Sequence, residues 1–248
     1  MEAFDVIDHI AIDTHTHSVL SGHAYCTLNE LCLEAVSIGM QRFVLSEHGP
    51  LMPRGTPFFL PMTNAGFPNT FHGVRVYYGL ECDIADYNGG FGADVERFQH
   101  YLEFGIASLH SVVLKSGTVE QNTSALIGAL KNKYIDIIGH PGNTSFPVDI
   151  EKVVLTAKAY NKLIEINNHS FVHRAGCEAN CLEFARLCKK YGVRVAVASD
   201  AHISGMIGRV PAALEKLNSI DFPAELVVNS TLERFDEYLK ERKARVGK

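Results

Sequence analysis

The chain has 248 residues, 46% of them hydrophobic and 21% charged, which suits one large α/β domain over residues 1–248 better than two small ones. Its formal net charge of -5 argues against a broad basic face for nucleic acid. An anionic substrate stays open, because bound metal ions would make a site locally positive.

The opening MEAFDVIDHIAIDTH has no basic stretch followed by an apolar one, so no secretory signal is expected. No apolar run is long enough to span a bilayer. The cysteines (Cys26, Cys32, Cys82, Cys177, Cys181 and Cys188) form no metal-type CxxC pair. Cys177, Cys181 and Cys188 share one face of a predicted helix and read as small buried residues rather than a redox or metal site. Reduced thiols and the missing signal together point to the cytoplasm.

Apolar, β-branched runs alternate with stretches of helical period along most of the chain. Strands are predicted near 10–14, 42–46, 74–80, 105–109, 134–139, 162–167 and 193–198. The first helix opens on a capping box, Thr27 to Glu30, places Leu28, Leu31, Ala35 and Val36 on its apolar side and stops at Gly39. Residues 49–73 break the rhythm, mixing Pro50, Pro53, Pro57, Pro61 and Pro68 with Phe58, Phe59, Phe67 and Phe71. Since this stretch leaves the carboxyl end of the second strand, it is expected to overhang a site there as a wall or lid. A second box, Thr118 to Gln121, opens the helix before the fifth strand. Asp149 caps the next, whose stripe is Ile150, Val153, Val154 and Ala157. A helix over 176–191 ends at Gly192, and a last amphipathic helix starts at Ser230 with Leu232, Phe235 and Leu239. Seven βα units with continuous apolar strands predict an α/β fold of the closed or nearly closed barrel kind. An open doubly wound sheet would draw its site from few strands at one switch point.

Nine side chains of metal-binding type fall at the predicted strand ends or just after them: His15, His17, His23, His48, Glu81, His110, His140, Asp200 and His202. Side chains from the carboxyl ends of parallel strands converge on one mouth, where imidazoles and carboxylates can hold a cluster of divalent ions. His15 and His17 are two apart and point to one side of a strand. Alone, such a pair is a weak signal. It is matched by Asp200 and His202 at the far end of the chain, and closing a barrel makes the first and last strands neighbours. Glu81 ends the run VYYGLE and has two oxygens with which to bridge two ions. His110 and His140 each close an apolar run, the latter before Pro141 and Gly142. One such histidine is more often a hydrogen-bonded structural residue; two in corresponding places reverse that reading. His48 sits between strand and breaker in SEHGP, and His23 lies in the first loop with the weakest spacing of the nine. His9, His72, His100, His169 and His173 have no such placement and read as ordinary.

The motifs DTHTH (13–17), HAYCTL (23–28), SEHGP (46–50), GLECDI (79–84), HPGN (140–143), EINN (165–168), SDAH (199–202) and NSTLERFDEYL (229–239) run nearly end to end. In that order the chain resembles the PHP family, named for its polymerase and histidinol-phosphatase members, and within it the small stand-alone phosphatases. The resemblance implies a distorted, TIM-like (β/α)7 barrel of seven strands with up to three divalent ions at the C-terminal ends of the strands. Residue by residue, it implies His15, His17, Glu81 and Asp200 around a first ion. Glu81 would bridge to a second, completed by His110 and His140, and His23, His48 and His202 would hold a third. The family usually has Asp-His at the second strand. Here Glu47-His48 keeps the ligand and alters the contact beside it.

Water shared by such ions has its pKa lowered towards ~7. The catalytic group expected is therefore a hydroxide held by His15, His17, Glu81 and Asp200, attacking phosphorus in line while the ions neutralise the phosphoryl oxygens. The histidine-rich set suits zinc, with manganese or iron as alternatives. Arg174 is a candidate bidentate phosphate partner or a surface residue before the 176–191 helix. Asn168 and Ser170 are candidate phosphate donors or turn caps, and Asp13 is expected to orient a ligand imidazole.

The reaction expected is a phosphomonoesterase acting on a small phosphorylated metabolite, with no membrane or nucleic-acid partner and a homo-oligomer left open. Histidinol phosphate is a candidate by resemblance, although nothing in the sequence reads an imidazole alcohol. A phosphodiesterase or nuclease on the same ions would need a basic or aromatic groove. An amidohydrolase-type enzyme would have no need of His23, His48 and His202 as a third site. A non-catalytic polymerase module fits poorly with nine intact positions.

Overall fold

Seven of the apolar runs become parallel strands because β-branched side chains suit a pleated sheet buried on both faces. The computed structural model describes residues 6–57, 60, 64 and 66–247. Phe58, Phe59 and Pro61 of the proline-rich stretch, and the first five residues of the amino-terminal one, lie outside the described residues. Strands β1 (Ile12–Thr16), β2 (Arg42–His48), β4 (Val74–Asp83), β5 (Phe104–Ser108), β6 (Ile137–Ile138), β7 (Leu163–Asn167) and β8 (Val195–Ala198) follow one another in the order β1-β2-β4-β5-β6-β7-β8. A two-residue β3 (Thr70–Phe71) pairs antiparallel with β4. The helices among the described residues are α1 (Leu28–Ser37), α2 (Ala93–Phe98), α3 (Val119–Lys131), α4 (Ile150–Ala159), α5 (Asn168–Val172), α6 (Glu178–Tyr191), α7 (Pro211–Asn218) and α8 (Leu232–Val246). None is long and apolar enough to cross a membrane.

The result is the predicted nearly closed barrel of seven parallel strands. Its seam lies between β8 and β1, where the described residues form only an isolated bridge from Thr16 to Ala201. Asn229 mends the rest. Its Oδ1 accepts the Val197 N–H at 3.0 Å, and its Nδ2 donates to Ile12 O at 2.7 Å and Val197 O at 2.6 Å. A side-chain amide thus satisfies backbone groups that a further strand would otherwise pair. Inside the barrel, Ile12, Val44, Tyr77, Phe104, Ile106 and Leu163 pack with Phe235 and Tyr238 of α8, which plugs the amino-terminal end. A larger cluster fills the space between strands and outer helices.

Both capping boxes form as predicted, and Asp149 caps α4 by accepting the Lys152 N–H. Gly39, just past α1, has φ 74°, a conformation that glycine adopts without strain. The last helix starts later than expected. Thr231 is its cap, accepting from Arg234 N–H, while the Ser230 hydroxyl donates to Val227 O. Helices α2, α5 and α7 and strand β3 were not predicted, because two to eight residues are too few for a period to stand out. All six cysteines are buried and free.

Candidate metal centre

Alternation along a strand decides which side chains face the barrel interior. Tyr77, Phe104, Leu163 and Ala196 belong to the interior cluster. Two-residue steps from them carry Glu81 and Asp83, Ser108 and His110, Glu165 and Asn167, and Asp200 towards the carboxyl mouth. On β2 the same steps lead from Val44 to His48. Two strands change step. In β1 the register with β2 shifts between Asp13 and Thr16, a bulge that turns His15 and His17 inward above Ile12. After β6, His140 takes φ 29°, and after β8 Asp200 takes φ 57°. Left-handed non-glycine residues cost of order 1–3 kcal/mol each and cluster at functional sites; both of these are candidate ligands. A β-carbon on Gly139 would meet Ser108 Oγ at 2.2 Å, so the chain reaches His140 only through glycine.

Glu81 is the hub. Its Oε2 lies 3.3 Å from His15 Nε2, 3.6 Å from His17 Nε2 and 2.8 Å from His48 Nδ1. Its Oε1 lies 3.0 Å from His140 Nε2 and 3.4 Å from His110 Nε2. Asp200 Oδ1 is 3.4 Å from His17 Nε2 and 3.6 Å from His15 Nε2. His202 and His23 meet at 3.0 Å through their Nε2 atoms, and the His23 ring stacks 4.8 Å from that of His48. All nine sequence-predicted side chains therefore share one mouth. Three trios bring ligating atoms within 4.8 Å of one another: His15, His17 and Glu81; His48, Glu81 and His110; His17, His48 and His202.

Most of the rings are held from behind. His15 Nδ1 meets Glu165 and His110 Nδ1 meets Asp83, each at 2.7 Å. His17 Nδ1 lies 3.0 Å from Ser21 Oγ, His202 Nδ1 2.9 Å from Asp200 O, and His23 Nδ1 3.2 Å from Ser21 O. Outer partners on Nδ1 aim Nε2 into the mouth, the orientation in which imidazole ligates a metal.

Burial opposes charge throughout this site; at His15, His110, Glu81 and Asp200 neighbouring groups outweigh it. The carboxylates of Glu165, Glu81 and Asp200 hold His15 well above its ordinary range, and Glu81 and Asp83 push His110 up to about 10. In return, His15, His48 and His110 hold Glu81 well below the usual carboxylate range, and His15, His17 and Arg174 do the same for Asp200. His17 is pushed well down by burial and by His48, His202 and His15. The raised His15 and His110 and the lowered Glu81 and Asp200 are two sides of one attraction between imidazoles and carboxylates.

That attraction does not complete the site. His15 Nε2, His17 Nε2, His48 Nδ1, Glu81 Oε2 and Asp83 Oδ2 are buried without a hydrogen-bond partner. Buried polar atoms are partnered in the great majority of cases, so Glu81 Oε2 and the three histidine nitrogens within 3.6 Å of it call for something beyond the chain's own groups. Nitrogen and carboxylate donors in this mixture fit divalent ions, which displace protons from such ligands when they bind.

The sequence matches the PHP domain family over residues 13–241, a span that includes all nine residues. The chain belongs to the PHP family. A relative from Acetivibrio thermocellus named "Probable phosphatase" is 47% identical over 236 residues, covering 95% of this PHP chain and 97% of its own. Among solved structures, histidinol phosphate phosphatase from Lactococcus lactis, complexed with zinc, L-histidinol and phosphate, has a TM-score of 0.58 at 16% identity, over 85% of this chain and 92% of that one. A probable 2-pyrone-4,6-dicarboxylic acid hydrolase from Acinetobacter baumannii, with citric acid bound, has a TM-score of 0.54 at 12% identity, over 92% and 98%. At those identities the likeness is one of fold, and this fold serves more than one kind of hydrolase.

The candidate substrate residues of this PHP chain lie on the Asp200 side. Arg174 Nη2 pairs with Asp200 Oδ2 at 2.9 Å, and its Nη1 donates to Ser170 Oγ at 2.8 Å. Ser170 is fully buried, its N–H donating to Asn167. Asn168 Oδ1 accepts the Ala213 N–H at 3.1 Å, tying α5 to α7. Asp13 departs from expectation: it accepts from Ser199 N–H and hydroxyl, Gly208 N–H and the backbone N–H of His15, with no imidazole nitrogen among these hydrogen-bond partners. The β1 bulge points its side chain at the seam instead. The proline-rich stretch does start at the mouth, with Gly49 N–H on Glu81 O and the Thr56 hydroxyl on His48 O.

Glu165 and Asp83 escaped the sequence reading. Glu165 accepts from His15 Nδ1, from the His140 N–H at 2.5 Å and from Asn167 Nδ2 at 3.1 Å. The readable signal was a carboxylate inside the apolar run LIEIN, in step with interior Leu163. His169, treated as ordinary, has its ring 6.4 Å from that of His202 and 4.5 Å from that of His173. Burial pushes it down to about 4.

Proposed function

We propose that this PHP protein is a metal-dependent phosphatase, a phosphomonoesterase that hydrolyses a small phosphorylated metabolite at a centre of three divalent ions. The reading places a single barrel domain in the cytoplasm. One observation carries it: the group of buried nitrogen and oxygen atoms around Glu81 Oε2 that have no hydrogen-bond partner. The name of the 47% identical relative supports a phosphate ester as the bond cleaved. Zinc, histidinol and phosphate in the similar histidinol phosphate phosphatase support divalent ions and a small substrate.

His15, His17, Glu81 and Asp200 would hold one ion, Glu81 with His110 and His140 a second, and His23, His48 and His202 a third. Zinc suits this nitrogen-rich set, with manganese or iron next. When bound, such ions acidify water into a nucleophile at neutral pH and neutralise charge gathering on phosphoryl oxygens. The chain's own groups position and enclose. Glu165 and Asp83 hold the rings of His15 and His110 with Nε2 inward. Arg174, braced by Ser170, presents a guanidinium that can exchange Asp200 Oδ2 for a phosphoryl oxygen. The full burial of His15, His17 and Glu81 keeps bulk water from the floor of the site.

The test is hydrolysis of p-nitrophenyl phosphate beside bis-p-nitrophenyl phosphate, with ions replete and after chelation. Chelator-sensitive release from the monoester is expected, with little from the diester. A diester preference would replace the monoesterase by a phosphodiesterase. Inactivity on both esters with ions bound would defeat the phosphatase reading.

A further inference from the structure

We propose that Glu47, acting through the hydroxyl of Ser21, decides which nitrogen of His17 carries the proton and keeps Nε2 as an open lone pair. The consequence for ion binding rests on the metal centre proposed above; the proton's position does not.

Ser21 ends a short 3-10 turn, Val19–Ser21, and is fully buried. Its hydroxyl has three neighbours: Glu47 Oε2 at 2.5 Å, His17 Nδ1 at 3.0 Å and the His48 N–H at 3.0 Å. A hydroxyl offers one proton and two lone pairs. The His48 N–H can only donate, so it takes one lone pair. Glu47 also receives the N–H and hydroxyl of Ser18; with three donors aimed at it, the carboxylate acts as acceptor and takes the Ser21 proton. One lone pair is left, and it faces His17 Nδ1. That contact is a hydrogen bond only if Nδ1 carries the proton.

The opposite tautomer has its own attraction. His17 Nε2 lies 3.4 Å from Asp200 Oδ1 and 3.6 Å from Glu81 Oε2, and two carboxylates draw a proton to that nitrogen. A proton there would block the lone pair an ion needs. His15 and His110 meet the same competition with a carboxylate directly on Nδ1. His17 has only a serine, whose direction is set one bond further out. The serine carbonyl also faces His23 Nδ1 at 3.2 Å, so a single residue aligns His17, His23 and the backbone of His48. Ser21 and Glu47 are positioning residues.

Nitrogen-resolved NMR of the histidine side chains in the full-length protein, stripped of metal and then loaded with zinc, reads the tautomer directly. The wild type is expected to keep the His17 proton on Nδ1 in both states. Ser21→Ala should move it to Nε2 in stripped protein and weaken zinc binding about 10–100-fold, the usual effect of losing an outer-shell partner, measured against a chromophoric chelator. Glu47→Gln, equal in shape, can accept from only one of the two serine hydroxyls and should shift the proton in the same direction if Ser21→Ala does not fold. A Nε2 proton on His17 in stripped wild type overturns the proposal, as does an unmoved proton with unchanged zinc affinity in both variants. Wild-type protein that takes up no zinc would instead defeat the metal centre, and the tautomer measurement would still decide the relay.

Discussion

At the amino-terminal floor of the barrel, Asp136 is fully buried and fully partnered. It accepts from Gly105 N–H at 2.8 Å, the Tyr238 hydroxyl at 3.2 Å, Arg242 Nε at 2.7 Å and Arg245 Nη2. Arg242 Nη2 donates to Leu102 O at 3.0 Å. At the carboxyl mouth, Glu81 is buried as deeply, yet its Oε2 and the three imidazole nitrogens 2.8–3.6 Å from it make no hydrogen bond. Removing charge from water has the same physical cost at both ends. The floor meets that cost with its own arginines, which makes it structure. The mouth faces its carboxylate with imidazoles that form no hydrogen bond to Oε2, the donor set that a site for cations requires.

Glu81→Gln should sharpen this contrast most. Its carboxylate faces five imidazoles, so phosphatase activity is expected to fall about 1,000-fold, with bound metal falling alongside. Steady-state kinetics and metal analysis check this; full activity with a full complement of ions would dissolve the distinction between the two ends. The reciprocal change is Asp136→Ala. Leaving Arg242 and Arg245 buried without their anion should cost about 3–5 kcal/mol, read by urea unfolding, while activity per folded molecule and ion content stay at the wild-type level.

The two ends also differ in what the sequence discloses. The mouth was legible because each ligand ends an apolar run, as in VYYGLE and IASLH, and barrel closure brings such ends together. Its outer layer was less so. Placing Glu165 requires knowing that Leu163 faces inward, and the inward turn of His15 and His17 depends on a bulge that no periodicity announces. Asp13 was misread for the same reason. The floor was illegible: Asp136 and Arg242 are separated by 106 positions, and ERKARV at the end of α8 reads as a solvated charge run. Asn229, which closes the seam, looks like one more polar residue before a helix.

Lys162 gives a smaller, pH-dependent measure of the floor. Its ammonium is buried, donates to Asn132 O at 2.8 Å and to Ile135 O, and lies near Arg245. Burial, aided by Arg245, pushes it down to about 7. The unfolded chain holds this proton up to about 10.4, so between pH 7 and 10 the unfolded state binds more protons and stability rises with pH. The cost of the charged form is fully present below pH 7. Each pH unit in that window contributes up to about 1.4 kcal/mol. Urea midpoints at pH 7 and 9 should diverge for wild type and not for Lys162→Met; equal slopes would mean the lysine keeps an ordinary affinity for its proton.

The smallest expected effect separates burial from charge. Glu241 on α8 accepts from Nη1 and Nη2 of Arg194, at 3.1 and 2.5 Å, and from Asn161 Nδ2 at 2.8 Å. By contacts alone it rivals Asp136, but its side chain is 42% exposed and that of Arg194 25% exposed. In water the partners keep most of their solvation when the pair is broken, so Glu241→Gln should cost less than about 1 kcal/mol. High salt should shrink even that. Urea unfolding at low and high ionic strength measures both. A loss as large as that of Asp136→Ala, unaffected by salt, would mean that the floor stands on its whole charge network, and that desolvation is not what divides the floor from the mouth.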